Sequence, residues 1–240
     1  MLTLSNDTLA RLDSIQIDRD IRGIADWLYQ RFEPWFQGIG ADPHDVARSV
    51  RRIQQWAQTK ALRRNKDIRM LAVISVTQGT FFYSDPRFAA VFNRAARQFE
   101  LDPDARLDGI FAAFDGWRQN VVGPDGWHGV AKRTAELLSE DSAMETARPA
   151  GIADHVLPAQ ARWAGQAEHE QFLNAVVAQG QHHHLPTRRH HASHMALSVL
   201  LGYRWLDDPK LNSLAKLILQ ERDPDAMTRG IALRLTEHKS

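Results

Sequence analysis

The segment LAVISVTQGTFFYSDPRF, residues 71–88, decides the fold of this chain. Its β-branched and aromatic residues are compatible with a buried strand when the segment is considered alone. Residues 194–211, HMALSVLLGYRWLDDPKL, align with it without a gap at a displacement of 123 residues. This second segment is rich in Leu and Met, which favour helix. We therefore predict that residues 71–83 and their counterpart both form helices.

The alignment of the two segments indicates an internal duplication. Five of the 18 aligned positions carry the same residue: Ser75 and Ser198, Val76 and Val199, Gly79 and Gly202, Asp85 and Asp208, and Pro86 and Pro209. Each copy is predicted to contain a long helix with a glycine near its C-terminus, followed by an aromatic residue. The Asp-Pro pair that comes next predicts the cap and the first residue of a further helix.

Periodic apolar residues upstream of these segments also predict helices. The following residues recur at steps of about three or four: Leu9, Leu12, Ile15, Ile21, Ile24, Trp27, Leu28 and Phe32. We place them on one face of a first helix that ends near Arg31, before Pro34. Asp42 and Pro43 predict the N-cap and first residue of the next helix.

We predict an all-α protein of two related multi-helix units. No two alternating apolar runs flank an Asn-Gly or Asp-Gly turn, as a short β-hairpin requires. The stretch SEDSAMETARPAG, residues 139–151, lacks an apolar period and is predicted to be a linker. The predicted N-terminal unit is residues 1–138, and the predicted C-terminal unit is residues 152–240.

The composition narrows the classes of function. The 240 residues include 30 Lys and Arg against 29 Asp and Glu, so a formal net charge of +1 gives no overall attraction to nucleic acid or an anionic membrane. The lack of cysteine excludes disulfides, thiol nucleophiles and cysteine-ligated metals. The sequence shows no secretory signal and no apolar run of membrane-spanning length, and we expect a cytoplasmic protein.

Six of the eleven histidines lie between residues 182 and 194. His190 and His194 are predicted to lie one helical turn apart, a spacing at which two imidazoles can bind one zinc ion. The aligned segment of the first copy, ALRRNKDIRML at residues 61–71, is basic, which favours a solvated polar turn instead. A metal site and a solvated turn are therefore both retained as interpretations of this cluster. A metal-dependent enzyme at this cluster is the second alternative function.

Known catalytic motifs are lacking. His169 and Glu170 begin a zinc-protease motif, but Leu173 stands where the second histidine is required. The sequence contains no nucleophile elbow, phosphate-binding loop or dinucleotide fingerprint. We therefore predict a protein that is not an enzyme, without catalytic residues and without a cofactor.

Local charge and tryptophan indicate where a partner binds. Residues 48–69 contain eight Lys and Arg and one acid, which favours an acidic protein partner over nucleic acid because aromatic residues for base stacking are few. A helix face that is only solvated is the commonest outcome of such a run and stays an alternative. Trp117 and Trp127 flank a Gly-Pro turn, and they indicate either a binding hot spot or rings packed over the junction of the two units. The interface candidates are Arg63, Arg64, Arg69, Trp117, Trp127, His190, His191 and His194.

Four short features lie within the first hundred residues. The opening helix is closed by Phe32 and Pro34, and the next helix ends at Ala57 before a polar turn. An Asp-Ile pair at residues 67–68 and a Gly-x-x-Phe-x-x-Asp-Pro segment at residues 79–86 follow. With these features the chain resembles small helical proteins encoded beside type VI secretion effectors in Gram-negative bacteria. The resemblance implies an effector co-chaperone or accessory protein.

We therefore expect a non-enzymatic protein-binding module of a type VI secretion locus, with a toxin effector or its adaptor as the protein partner. We expect no nucleic acid, no membrane and no small-molecule substrate. An immunity protein that neutralises a toxin effector is the first alternative, because the length added by the second copy leaves both roles open.

Overall fold

The computed structural model describes residues 6–88, 102–140 and 146–236 of the chain. They are helical apart from turns and short connections, and none of them forms a strand, so the all-α prediction is confirmed. The α-helices are α1 (Asn6–Arg31), α2 (Glu33–Gly38), α3 (Pro43–Thr59), α4 (Asn65–Gln78), α5 (Pro103–Trp117), α6 (Gly126–Ser139), α7 (Pro149–Val156), α8 (Gln160–Ala164), α9 (Gln166–His182), α10 (Arg188–Leu201), α11 (Asn212–Gln220) and α12 (Pro224–Thr236). Within these described ranges, no helix combines the length and the apolar character needed to cross a bilayer.

Two segments show the same succession of elements at the displacement of 123 residues. α3 and α9 each have 17 residues, α4 and α10 each have 14, and a short 3-10 helix follows both α4 and α10. The connecting turns also agree, because Ala61 and His184 have positive φ angles of 58° and 53°. We call residues 42–88 the first copy and residues 165–211 the second copy. Their origin by duplication stays a prediction.

The helix predicted for residues 71–83 ends at Gln78, and Gly79 follows it. Pro209 begins a 3-10 helix that leads directly into α11. In the first copy, residues 86–88 are helical, and the helix predicted to continue from them extends into residues 89–101, outside the described residues. The Asp-Pro pair thus begins helical backbone in both copies, with 3-10 geometry in the second.

The C-terminal ends of α4 and α10 meet backbone to backbone. A Cβ atom added to Gly79 would lie 2.4 Å from the carbonyl oxygen of Leu201, and one added to Gly202 would lie 2.3 Å from that of Gln78. Both glycines also have positive φ, 73° and 97°, with extended ψ, a region that is open almost only to glycine. The approach of the two copies therefore depends on glycine at these two positions.

α10 is the central helix of the core. Each residue from Arg189 to Leu201 is buried, apart from the half-buried His191. α10 packs against α4, α6, α7 and α9, which explains why it is buried on all sides rather than along one stripe. One hydrophobic core contains residues of both predicted units, among them Leu71 and Leu197. α7 begins at Pro149, inside the segment predicted to be a linker, while residues 141–145 lie outside the described ranges.

We predict that Gly79→Ala and Gly202→Ala each lower the free energy of unfolding by more than about 2 kcal/mol, because the added methyl group strains the backbone and meets a carbonyl oxygen. The matched control is Gly23→Ala within α1, where a Cβ atom would meet nothing within 4 Å. This control should be neutral or stabilising by up to ~1 kcal/mol, since alanine favours helix. Urea unfolding measures all three variants, and equal effects at Gly79 and Gly23 would contradict the close approach.

Candidate functional site

Where α4 and α10 meet, an aspartate from each copy accepts hydrogen bonds from the other copy. The Asp208 carboxylate accepts hydrogen bonds from the backbone N–H of Thr80 at 2.6 Å and from its hydroxyl at 2.7 Å. The Asp85 carboxylate accepts one from the backbone N–H of Tyr203 at 3.2 Å. Thr80 and Tyr203 are equivalent positions in the two copies. Each aspartate therefore accepts a hydrogen bond from a backbone N–H in the turn that follows the helix of the other copy.

A buried cation accompanies each aspartate. Arg87 forms two hydrogen bonds to Asp85, at 3.0 and 2.7 Å, and donates a third to the carbonyl oxygen of Val199 at 2.8 Å. Its guanidinium lies 4.3 Å from the ring centroid of Phe172. In the second copy, Lys210 occupies the position equivalent to Arg87.

Lys210 makes the corresponding contacts to the first copy. Its Nζ lies 3.5 Å from the Asp208 carboxylate and donates to the hydroxyls of Ser49 and Thr80 at 2.9 Å and of Ser75 at 3.3 Å. Burial lowers the pKa of Lys210, and the neighbouring Asp208 opposes that shift. We call Thr80, Asp85, Arg87, Tyr203, Asp208 and Lys210 the junction.

Lys210 of the junction lies beside the hydroxyls of Thr80, Ser49 and Ser75, and nucleophilic catalysis uses such groups. The side chains of Lys210, Ser49 and Thr80 are at most 1% exposed, and each of their polar atoms is hydrogen-bonded within the chain. A reacting carbonyl needs space next to the nucleophile. The arrangement therefore holds the two copies together and presents no reactive group to solvent.

The two histidines that were predicted to share a metal ion are buried and bonded to different elements. His190 contacts the Thr187 hydroxyl through Nδ1 at 2.7 Å and the carbonyl oxygen of Glu221 through Nε2 at 3.0 Å. His194 donates from Nε2 to the carbonyl oxygen of Val176 at 3.2 Å, and its Nδ1 accepts from the Trp205 indole at 3.0 Å. All four ring nitrogens are engaged. At most 1% exposed, the two side chains do not belong to a solvated turn, which corrects their assignment to a binding surface.

Burial lowers the pKa of His194 to about 3. The nearby imidazoles of His183 and His191 act in the same direction, while the hydrogen bond to Val176 opposes it. His194 is therefore neutral in the folded chain throughout the physiological range. The half-buried His191 donates from Nε2 to the carbonyl oxygen of Leu185 at 3.1 Å.

Within the described ranges, one group of potential metal ligands has atoms close enough to share an ion: Asp42, His44 and Asp45 at the start of α3. Asp42 accepts from the backbone N–H of Asp45 at 2.7 Å, and the Asp45 carboxylate bonds back to the Asp42 N–H, which forms a capping box. Helix capping explains the two acids, and the predicted N-cap at Asp42 is confirmed.

Trp117 belongs to the core. It is fully buried, its indole N–H donates to the Gln160 side chain at 3.0 Å, and its ring lies 5.6 Å from that of Trp127. Of the two interpretations of this tryptophan, packing within the chain is the one that the structure supports. Trp127 is half-buried and lines a small apolar cavity with Trp35 and Leu200.

The three predicted basic interface residues differ in their surroundings. Arg64 binds Asp67 at 2.9 Å and Asp104 at 2.6 Å, and these bonds raise the pKa of Arg64 and lower that of Asp104. Arg69 lies 5.7 Å from the ring centroid of Trp27. Arg63 is exposed and has no ion pair among the described residues. A charge-reversal test of this surface must use Arg63, because reversing Arg64 would also break its link between α4 and α5.

The outer face of α1 is a surface that our sequence analysis missed. The buried stripe of α1 contains Ile21, Ile24 and Leu28, whereas Leu12 is 50% and Ile15 is 64% exposed. With 3.6 residues per turn, Leu12 lies roughly 160° and Ile15 roughly 140° around the helix axis from Leu28. The prediction of a single apolar face was therefore wrong for these two residues. Their angular positions on a helical projection are the signal that could have separated them.

Comparisons with protein-family models, curated proteins and solved structures found no match to this chain.

We predict that His194 makes the stability of this protein fall in mild acid. Its folded pKa of about 3 lies below the ordinary value of 6.5, so its contribution is complete above pH 6.5 and is lost as the pH falls from 6.5 towards 3. Between pH 6.5 and 5 the loss should be about 2 kcal/mol. His194→Gln, which cannot titrate, should flatten the pH dependence of the free energy of unfolding, whereas the exposed His182→Gln should leave it unchanged. An unchanged slope in His194→Gln would contradict the assignment.

Proposed function

We propose that this chain is a non-enzymatic protein-binding module that acts as an effector co-chaperone or accessory protein of a type VI secretion locus. The observation that carries the binding role is the exposed outer face of α1, with Leu12 and Ile15 directed away from the core. The effector as partner rests on the resemblance in the first hundred residues.

The outer face of α1 has the features of a helix that docks into a groove of another protein. Leu12 and Ile15 are three residues apart and share one side of a helix that has 26 residues. Burying a Leu or Ile side chain that is otherwise exposed contributes about 1.5–3 kcal/mol. Two such anchors, spaced at one helical turn, are typical of helix-in-groove recognition.

Charge supports a protein partner with acidic groups. Arg11 and Arg19 are exposed on the same half of α1 as Leu12 and Ile15, and neither forms an ion pair among the described residues. Charges at the edge of an interface mainly raise the association rate and the specificity. An acidic rim around an apolar groove would therefore complement this part of α1.

No observation favours the metal-dependent alternative, because the ring nitrogens of His190 and His194 are used within the chain. A co-chaperone and an immunity protein would both bind an effector. They differ in outcome: a co-chaperone raises the amount of intact effector in the producing cell, whereas an immunity protein blocks the toxicity of an effector that is already folded.

The test uses the double variant Leu12→Asp with Ile15→Asp. Each carboxylate would have to be desolvated in an apolar groove, so we predict at least a ten-fold loss of affinity for the effector encoded in the same locus. The matched control is Leu233→Asp on α12, since Leu233 is 56% exposed and is the other strongly exposed leucine of the described chain. Calorimetry with purified effector measures affinity, and circular dichroism checks that both variants fold.

Three results would contradict the proposal. If the effector does not bind the wild-type chain, the assigned partner is wrong. If the double variant binds as tightly as Leu233→Asp, the outer face of α1 is not the binding surface. If the chain suppresses toxicity without raising the amount of intact effector, the role is immunity rather than co-chaperone.

A further inference from the structure

A cavity of about 360 Å³ lies beside the starts of α7 and α10. Its floor is aliphatic and includes the buried side chains of Ile152, Val176 and Met195. Its rim includes the exposed Arg148 and Arg188. The volume lies in the range of small-ligand pockets, which begins at about 300 Å³.

The charge around this cavity has one sign. Among the residues that the structure describes, its lining contains Arg148 and Arg188 and no carboxylate. Neither Arg148 nor Arg188 has an ion pair among the described residues, whereas Arg64 and Arg118 elsewhere on the surface each bind an aspartate. Two guanidinium groups without an ion pair among the described residues are therefore available to an anion at this rim.

Helix geometry adds to the positive potential. Arg148 is the N-cap residue of α7, and Arg188 is the first residue of α10. The N-terminus of a helix carries a partial positive charge, which favours an anion. Two helix N-termini and two arginines therefore lie around the same opening.

The floor of the cavity determines which chemical group can bind below an anion at the rim. Within the described part of the chain, no Phe, Tyr or Trp lines the cavity, so none of these residues offers an aromatic ring for stacking. His194 is neutral and both its ring nitrogens are engaged, so it adds no charge to the floor. An unbranched aliphatic chain fills such a space by dispersion and removal of water from apolar surface.

We propose that this cavity binds a small amphiphile with one anionic head group and an unbranched aliphatic tail, the head held by Arg148 and Arg188 and the tail lying on Ile152, Val176 and Met195. A medium-chain carboxylate has this chemistry. The proposal is independent of the role of α1, because the cavity and the outer face of α1 share no residue.

Titration calorimetry with decanoate tests the proposal on the full chain. We expect decanoate to bind, and we expect acetate and decyltrimethylammonium to fail, since the first lacks the tail and the second carries the opposite charge. Arg148→Gln combined with Arg188→Gln should weaken decanoate binding at least ten-fold. The control is Arg229→Gln on α12, an exposed arginine that does not line the cavity.

Ala192→Leu provides a second variant that keeps both arginines. Ala192 lines the cavity, and a leucine there would fill part of it while favouring helix. Decanoate binding should be lost in this variant, with the melting temperature as the check on folding. Three results would overturn the proposal. The wild-type chain could fail to bind decanoate, or it could bind decyltrimethylammonium equally well. The third is decanoate binding that is unchanged in both the double arginine variant and Ala192→Leu. Decyl phosphate in place of decanoate identifies which anionic head group is preferred.

Discussion

The crossed hydrogen bonds from Asp85 to Tyr203 and from Asp208 to Thr80 are the interaction on which the rest of the structure depends. The backbone N–H groups that they satisfy lie just beyond α4 and α10, where the helical hydrogen-bond pattern has ended. Because each carboxylate comes from the opposite copy, neither copy supplies the acceptor for the backbone N–H in its own turn. Glycine at positions 79 and 202 then allows the two helix ends to approach until backbone meets backbone. An uncompensated buried carboxylate would cost several kcal/mol, and pairing with Arg87 and Lys210 offsets part of that cost.

Charged groups that are paired inside the chain are not available to a partner or a ligand, so binding must use other surfaces. The acidic, basic and hydroxyl groups of the junction are engaged with one another, and His190 and His194 are engaged with the surrounding backbone. The features left without a partner in the described chain include the outer face of α1 and the cationic rim of the cavity beside α7 and α10. The first fits a macromolecular partner, because it is a convex apolar surface on a long helix. The second fits a small amphiphile, because it is concave, aliphatic and positively charged at its opening.

Local signals in the sequence were enough to predict the helices, and they failed where contacts between distant residues decide the outcome. Asp42 acts as an N-cap, and Gly79 and Gly202 follow helix ends, as residue type and spacing predict. The alignment at 123 residues indicated that two segments are alike, yet it contains no information on how they face each other, so the crossing of Asp85 and Asp208 was not predictable. His194 was expected in a polar turn because the sequence does not show that Val176 and Trp205 come to meet its ring. α7 was missed because Pro149, Ala150 and Gly151 resemble a linker, while its apolar residues Ile152 and Val156 contact a helix that is distant in sequence.

Native-state hydrogen exchange of the Thr80 and Tyr203 amides tests the central claim most directly. If the crossed aspartates close the two copies into one unit, both amide protons exchange only when the whole chain unfolds. Their free energies of exchange should then equal each other and the free energy of unfolding measured in urea. If either amide exchanges at a free energy that is lower by more than about 2 kcal/mol, its carboxylate partner is released by local opening, and the two copies are not held together by this interaction.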